Sequence, residues 1–204
     1  MARSSVAKAA LASRADACGP GGALYVSQAV FPIPSAPNLS ETIMTIQIGD
    51  RIPNATLAQA TAEGPKPVST ADIFGGKTVA LFAVPGAFTP TCSARHLPGF
   101  KDHLADIKAK GVDTVACISV NDAFVMKAWA DSQDITDDSI VMLADGNGEL
   151  TKALGLVLDG SGFGLGERSQ RYSMLVKEGT VTQLNIEQGG EFKVSSAEHL
   201  LAQL

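Results

Sequence analysis

Val84-Pro85-Gly86-Ala87-Phe88-Thr89-Pro90-Thr91-Cys92-Ser93 is the stretch that decides how this chain folds. Just upstream, Thr78 to Val84 reads Thr-Val-Ala-Leu-Phe-Ala-Val, a short unbroken apolar run of the kind a strand buried on both faces requires. Pro85-Gly86 stops it. Downstream, Leu97, Phe100, Leu104 and Ile107 recur at helical spacing, which predicts an amphipathic helix from about Cys92 to Gly111, kinked at Pro98-Gly99. The quoted segment is therefore a strand-to-helix loop, the place where α/β proteins set their sites.

Outward from that loop the alternation continues. Thr114 to Val120 is a second apolar run, and Asn121-Asp122 caps a helix through Phe124, Met126 and Trp129. Ile140 to Leu143 reads as a third strand, followed by a turn at Asp145-Gly146 and a short helix over 148–154. Tyr172 to Val176 and Val181 to Ile186 flank Glu178-Gly179 as a hairpin. Ser195-Ser196-Ala197-Glu198 has capping-box spacing and opens a last helix to Leu204. Early alternation and a late hairpin specify an α/β fold, a mixed sheet with helices on both faces. That order is compatible with a thioredoxin-like layout, and periodicity alone does not separate it from other α/β folds.

The chain has 204 residues, 45% of them hydrophobic and 18% charged, enough to bury one sizeable core. No apolar run approaches the ~18 residues of a membrane span. A net charge of −5 and the lack of a basic stripe interleaved with aromatics disfavour a nucleic-acid partner. The three cysteines, Cys18, Cys92 and Cys117, are too few and too scattered for a disulfide framework or a closed zinc site, which favours a reducing intracellular setting.

Residues 1–43 differ in character from the rest. Within residues 1–15, Arg3, Lys8 and Arg14 lie among Ala and Ser with no acid, and Gly-rich and Pro-rich patches follow. Such a stretch is expected to stay largely unpacked. As a transit leader it would send the protein to a plastid or mitochondrion. Alternatively Met44 is the true start of a cytoplasmic protein. Both readings stand, and the compact domain is expected over 44–204.

Cys92 falls in the first turn of its helix, where unpaired backbone N–H groups and the helix dipole favour an anion by about 0.3–2 kcal/mol. A charge-assisted bond from an arginine would add about 1.5–3 kcal/mol. Thr89, three residues earlier, offers a hydroxyl that donates and accepts. Pro85 restricts the loop and shields the sulfur. On residues alone, then, Cys92 is a candidate thiolate nucleophile.

The spacing Pro-x-x-x-Thr-x-x-Cys, here Pro85, Thr89 and Cys92, resembles the peroxiredoxins. His96-Leu97-Pro98-Gly99-Phe100, Ala116-Cys117-Ile118-Ser119-Val120-Asn121-Asp122 and Arg168-Ser169-Gln170-Arg171-Tyr172 are similar to the type II, or peroxiredoxin-5-like, branch. The similarity covers essentially everything after Met44.

That resemblance implies a thioredoxin fold and reduction of hydrogen peroxide or alkyl hydroperoxides through a cysteine sulfenic acid, with no cofactor, metal or flavin. It implies recycling by glutathione and glutaredoxin or by thioredoxin, a role in redox homeostasis, and a homodimer packed through loops near the active site. By the family pattern Cys92 is the peroxidatic nucleophile, and Thr89 hydrogen-bonds both thiolate and peroxide. Arg171 stabilises the charge that develops as the O–O bond breaks, Pro85 is the motif proline, and Arg168 is an accessory or structural arginine. Backbone N–H groups of the loop, that of Cys92 included, help hold the peroxide.

Cys117 matches a candidate resolving cysteine in plant relatives, whereas its place inside an apolar strand reads as a packed core thiol. Both readings stay open. If it does not resolve, glutathione or glutaredoxin reduces the sulfenic acid directly. His96 shares a helix face with Cys92 and reads as a helix-face or loop-contacting residue. Arg95 occupies the position where a Cys-x-x-Cys disulfide reductase needs its second cysteine, so that activity is disfavoured. A peroxide-sensing redox switch or chaperone-like binding protein using the same cysteine is the alternative outside enzymology.

Overall fold

The computed structural model describes residues 44–204; the leader reading of 1–43, and Cys18 with it, lie outside the described residues. Strands β1 (Thr56–Thr61) and β2 (Gly64–Ser69) form an antiparallel hairpin ahead of helix α1 (Thr70–Phe74). Ser69 and Asp72 close a reciprocal capping box at the start of α1. Strand β3 (Thr78–Ala83) leads into the quoted loop and a helical stretch containing α2 (Leu97–Asp102) and α3 (Leu104–Ala109). Then come β4 (Thr114–Ser119), α4 (Ala123–Ser132), β5 (Val141–Ala144) and α5 (Glu149–Ala153). A short ribbon of β6 (Val157–Asp159) and β7 (Glu167–Ser169) precedes β8 (Tyr172–Lys177), β9 (Thr180–Ile186) and α6 (Ala197–Leu201).

Seven strands form one mixed sheet in the order β2-β1-β5-β4-β3-β8-β9. Strands β3, β4 and β5 run parallel at its centre, and β8 joins antiparallel with Ala83 opposite Tyr172. Val79 through Val84 have no exposed surface at all, which is why that run carries no polar alternation. One face packs Leu97, Phe100, Ile107, Met126, Trp129 and Leu200 from α2, α3, α4 and α6. The other packs Phe74 of α1 and Leu150 of α5 against Leu81, Ile118 and Leu143. The helices on both faces and the parallel centre with an antiparallel flank make this the thioredoxin-like α/β fold.

Several local expectations need correction. The helix after Cys92 is not one kinked rod: Cys92–His96 is a π-turn in which Leu97 N–H donates to Cys92 C=O, and a second break falls at His103. Pro98 explains the first. It has no N–H to give Ala94 and its ring would press on that carbonyl, so the turn widens by one residue and Pro98 becomes the second residue of α2. The last helix is capped by Ser196, whose hydroxyl accepts from His199 N–H, and it spans Ala197–Leu201 rather than reaching Leu204. Ser195 is engaged elsewhere, donating to Glu187. The hairpin of β1 and β2, helix α1 and the β6–β7 ribbon are additions to the expected order. Gly155, at φ +66, could carry no side chain: a Cβ would lie 2.9 Å from Thr45 Cα, so this glycine lets the first described residues pack against the turn after α5.

Candidate active site

The loop after β3 is built by short-range geometry and tied down from β4. Thr89 N–H reaches back to Gly86 C=O at 3.4 Å, and Phe88 inside that turn takes φ +61, a left-handed conformation costly for an aromatic residue. Asn121 Oδ1 accepts from Ala87 N–H at 3.0 Å and lies 2.8 Å from Ser119 Oγ. Val84 N–H donates to Ile118 C=O at 3.1 Å. Helical winding begins at Pro90, which loses nothing there because first-turn N–H groups have no helical partner. Ser93 N–H closes the first turn on Thr89 C=O at 3.0 Å, and Pro85 stands half-buried at the exit of β3.

Cys92 is fully buried at this helix start. Thr89 Oγ1 lies 2.8 Å from Cys92 Sγ and 2.9 Å from Gly86 C=O. One hydroxyl proton cannot serve both acceptors at once. When the sulfur carries its own proton, Thr89 can accept it and donate to Gly86; when the sulfur is an anion, Thr89 can turn its proton onto it.

Arg171, at the entry to β8, is 8% exposed, and its Nη1 lies 3.4 Å from Cys92 Sγ and 3.1 Å from His96 Nδ1. Among the described residues no carboxylate lies within ion-pairing distance of this guanidinium. Arginine stays charged in a protein, and an unpaired buried charge costs several kcal/mol. The guanidinium and the Thr89 hydroxyl therefore both favour negative charge on the sulfur. Three of the residues singled out from sequence, Thr89, Cys92 and Arg171, converge on one atom.

His96 was readable as a loop-contacting residue, and it does touch a loop, but it also joins the site. It is fully buried, with Nε2 3.0 Å from Ser195 C=O. A carbonyl only accepts and a guanidinium only donates, so Nε2 carries the proton and Nδ1 accepts from Arg171. Burial, and then the Arg171 charge, push its pKa down to about 3, so the ring is neutral. Phe82, Phe100 and Phe192 pack around it with ring centroids 5.1, 5.7 and 5.1 Å away.

Cys117 lies fully buried in β4, paired with Phe82 on β3 and Met142 on β5, and burial followed by the neighbouring Cys92 pushes its thiol well up. Both cysteines are free thiols. Arg168 binds backbone carbonyls: its Nε donates to Leu165 C=O at 2.8 Å and its Nη1 to Val120 C=O at 3.0 Å, pinning the β6–β7 ribbon to the end of β4. No group of His, Cys, Asp and Glu suited to a metal ion occurs among the described residues.

A thioredoxin-like fold with a buried cysteine between a hydroxyl and an arginine defines a class, the thiol oxidoreductases. Comparison with known proteins narrows it. The Redoxin family model matches residues 47–201. The rice protein Peroxiredoxin-2E-2, chloroplastic (Oryza sativa subsp. japonica) is 51% identical over 169 residues, which cover 81% of this chain and 75% of that one. Peroxiredoxin-2C of the same plant is 49% identical over 160 residues, covering 78% of this chain and 98% of that one. Among solved structures, reduced Prx3 in complex with hydrogen peroxide from Vibrio vulnificus superposes with a TM-score of 0.74 at 54% identity, covering 78% of this chain and 99% of that one. The chain belongs to the peroxiredoxins, which are thiol-dependent peroxidases.

Proposed function

We propose that Cys92 is the peroxidatic cysteine and that Thr89, Arg171 and Pro85 complete its site. The observation that carries this reading is a buried guanidinium with no carboxylate partner, 3.4 Å from a buried sulfur that also meets a hydroxyl at 2.8 Å. The thiolate lone pair forms an S–O bond with the nearer peroxide oxygen as the O–O bond breaks. Sulfur is oxidised by two electrons, and the far oxygen leaves as hydroxide, taking a proton from solvent to become water, or leaves as an alkoxide that becomes an alcohol. Arg171 donates to the charge growing along the O–O bond, and Thr89 holds the attacked oxygen.

An external thiol then attacks the sulfenic sulfur, expels water and leaves a mixed disulfide; a second thiol exchanges to return Cys92 and release a disulfide. The burial of Cys117 within β4 supports this route over internal resolution. Glutathione with glutaredoxin, or thioredoxin, supplies the thiols. Peroxide consumption with each reductant tests the reading: repeated turnover is expected, and Cys92→Ser abolishes it. A single oxidation without turnover would instead favour a redox switch. For Cys117, mass spectrometry after one equivalent of peroxide should show no Cys92–Cys117 disulfide; finding that disulfide would assign resolution to Cys117.

Residues 44–204 form the peroxidase domain in this reading, supported by the 98% coverage of Peroxiredoxin-2C. The chloroplastic relatives support reading 1–43 as a plastid transit leader rather than an upstream artefact before a cytoplasmic start. Import of a fluorescent protein fused to 1–43 into isolated chloroplasts tests it. The homodimer suits Phe88, which is 55% exposed on the loop that carries Cys92. Phe88→Asp should lower the mass measured by sedimentation to that of one chain.

A further inference from the structure

Glu187 is a buried carboxylate that the chemistry above does not use. It follows β9, and its backbone N–H donates to Arg171 C=O at 2.9 Å, so the two residues stand side by side where the β8–β9 ladder ends. A carboxylate in that place could pair with the Arg171 guanidinium and neutralise it. Instead, Glu187 Oε1 is occupied by three donors from one loop: Lys193 N–H at 2.6 Å, Ser195 N–H at 2.8 Å and Ser195 Oγ at 2.9 Å. These bonds fold the loop back so that Ser195 C=O receives Nε2–H of His96 at 3.0 Å. With that proton fixed on Nε2, His96 Nδ1 presents its lone pair to Arg171 Nη1 at 3.1 Å, and the same Nη1 points at Cys92 Sγ.

The guanidinium has little else to orient it. Arg171 Nε is buried without a hydrogen-bond partner, and the Phe192 ring centroid lies 5.9 Å away. Once the sulfur has reacted, His96 is the one protein acceptor among the described residues that still holds the head of this side chain. We infer that Glu187 is a positioning residue for Arg171: through the Ser195 loop it sets the His96 tautomer, and through His96 it aims the guanidinium at Cys92. This rests on the peroxidase reading and extends it by a residue that never touches peroxide.

The test is the second-order rate of Cys92 oxidation by hydrogen peroxide in the full chain, together with the ¹⁵N resonances of the His96 ring. Glu187→Ala and His96→Phe, the latter keeping an aromatic ring in the same packing, are each expected to slow oxidation at least about tenfold, the scale of one charge-assisted hydrogen bond lost. Glu187→Gln, whose amide oxygen accepts the same donors, should restore most of the rate. The double variant of Glu187→Ala and His96→Phe should be no slower than the slower single one, because both changes break one chain of contacts. The ring should show the Nε2–H tautomer in the native protein and in Glu187→Gln, and lose it in Glu187→Ala. Glu187→Asp, one methylene too short to reach the loop, replaces Glu187→Ala if that variant does not fold.

A native rate in Glu187→Ala, a Gln variant as slow as the Ala one, or multiplicative losses in the double variant would overturn the inference. If the native chain itself failed to react rapidly with peroxide, the peroxidase reading would fall, and the tautomer measurement would still judge the relay.

Discussion

At the scale of single residues the site is governed by charge. A guanidinium buried without a carboxylate is tolerable only where another anion is near, and Cys92 Sγ at 3.4 Å is the group placed to be that anion. Arg171→Ala should therefore slow the peroxide step about 100-fold, and Arg171→Lys should recover little, because a point ammonium cannot reach both His96 and the sulfur as the planar fork does. Rapid-mixing kinetics of the first oxidation checks both. The contact between Thr89 and Cys92 was legible because the two residues lie three apart along the chain, where spacing and geometry coincide. Arg171 could be picked out only through the family resemblance. The full part played by His96 was not legible, because its partners Ser195 and Arg171 lie 99 and 75 residues away and only the folded chain brings them to one ring. Glu187 was invisible for the same reason: an ordinary carboxylate at a strand end says nothing about the loop it will hold.

At the scale of elements, the widened turn at Cys92–His96 carries Cys92 at its first position and His96 at its last. Trp129, fully buried on α4, donates its indole N–H to Ser93 Oγ at 3.0 Å and so ties a neighbouring helix to that turn. Trp129→Phe removes that bond and some packed volume, and should cost about 1–3 kcal/mol in urea unfolding. The strand β3, the helix α4 and the β8–β9 hairpin followed their sequence patterns closely. In the hairpin, Glu178 and Gly179 take φ +50 and +80, the paired left-handed turn that Glu-Gly allows. The β1–β2 hairpin did not announce itself, because Pro65 and Pro67 argue against a strand. Both lie on β2, at the edge of the sheet, where a missing N–H leaves no ladder bond unmade. Pro98 did signal a disturbance in the helix, but not that one extra residue would be absorbed ahead of it.

At the scale of the whole molecule, burying a neutral histidine and an ionised glutamate in one network makes stability depend on pH. His96 has a folded pKa of about 3, below its ordinary 6.5, through burial and the Arg171 charge. The unfolded chain takes up a proton that the folded one refuses, so this contribution is complete above about pH 6.5 and is lost as pH falls toward 3, at up to about 1.4 kcal/mol per pH unit. Glu187 acts in the same direction: hydrogen bonds from the Ser195 loop outweigh burial and hold its carboxyl below the usual range, stability that is lost on acidification. Unfolding free energy at pH 5 should lie about 2 kcal/mol below that at pH 7 on account of His96. His96→Phe should flatten the dependence, as urea titrations at the two values would reveal.

The claim that everything else depends on is that one sulfur takes the oxygen. Intact-chain and peptide mass spectrometry, after one equivalent of hydrogen peroxide in the presence of a sulfenic-acid trap, tests it most directly. The expected result is a trapped adduct on Cys92, with Cys117 and Cys18 still free thiols. An adduct on either of those two, with Cys92 unmodified, would contradict it.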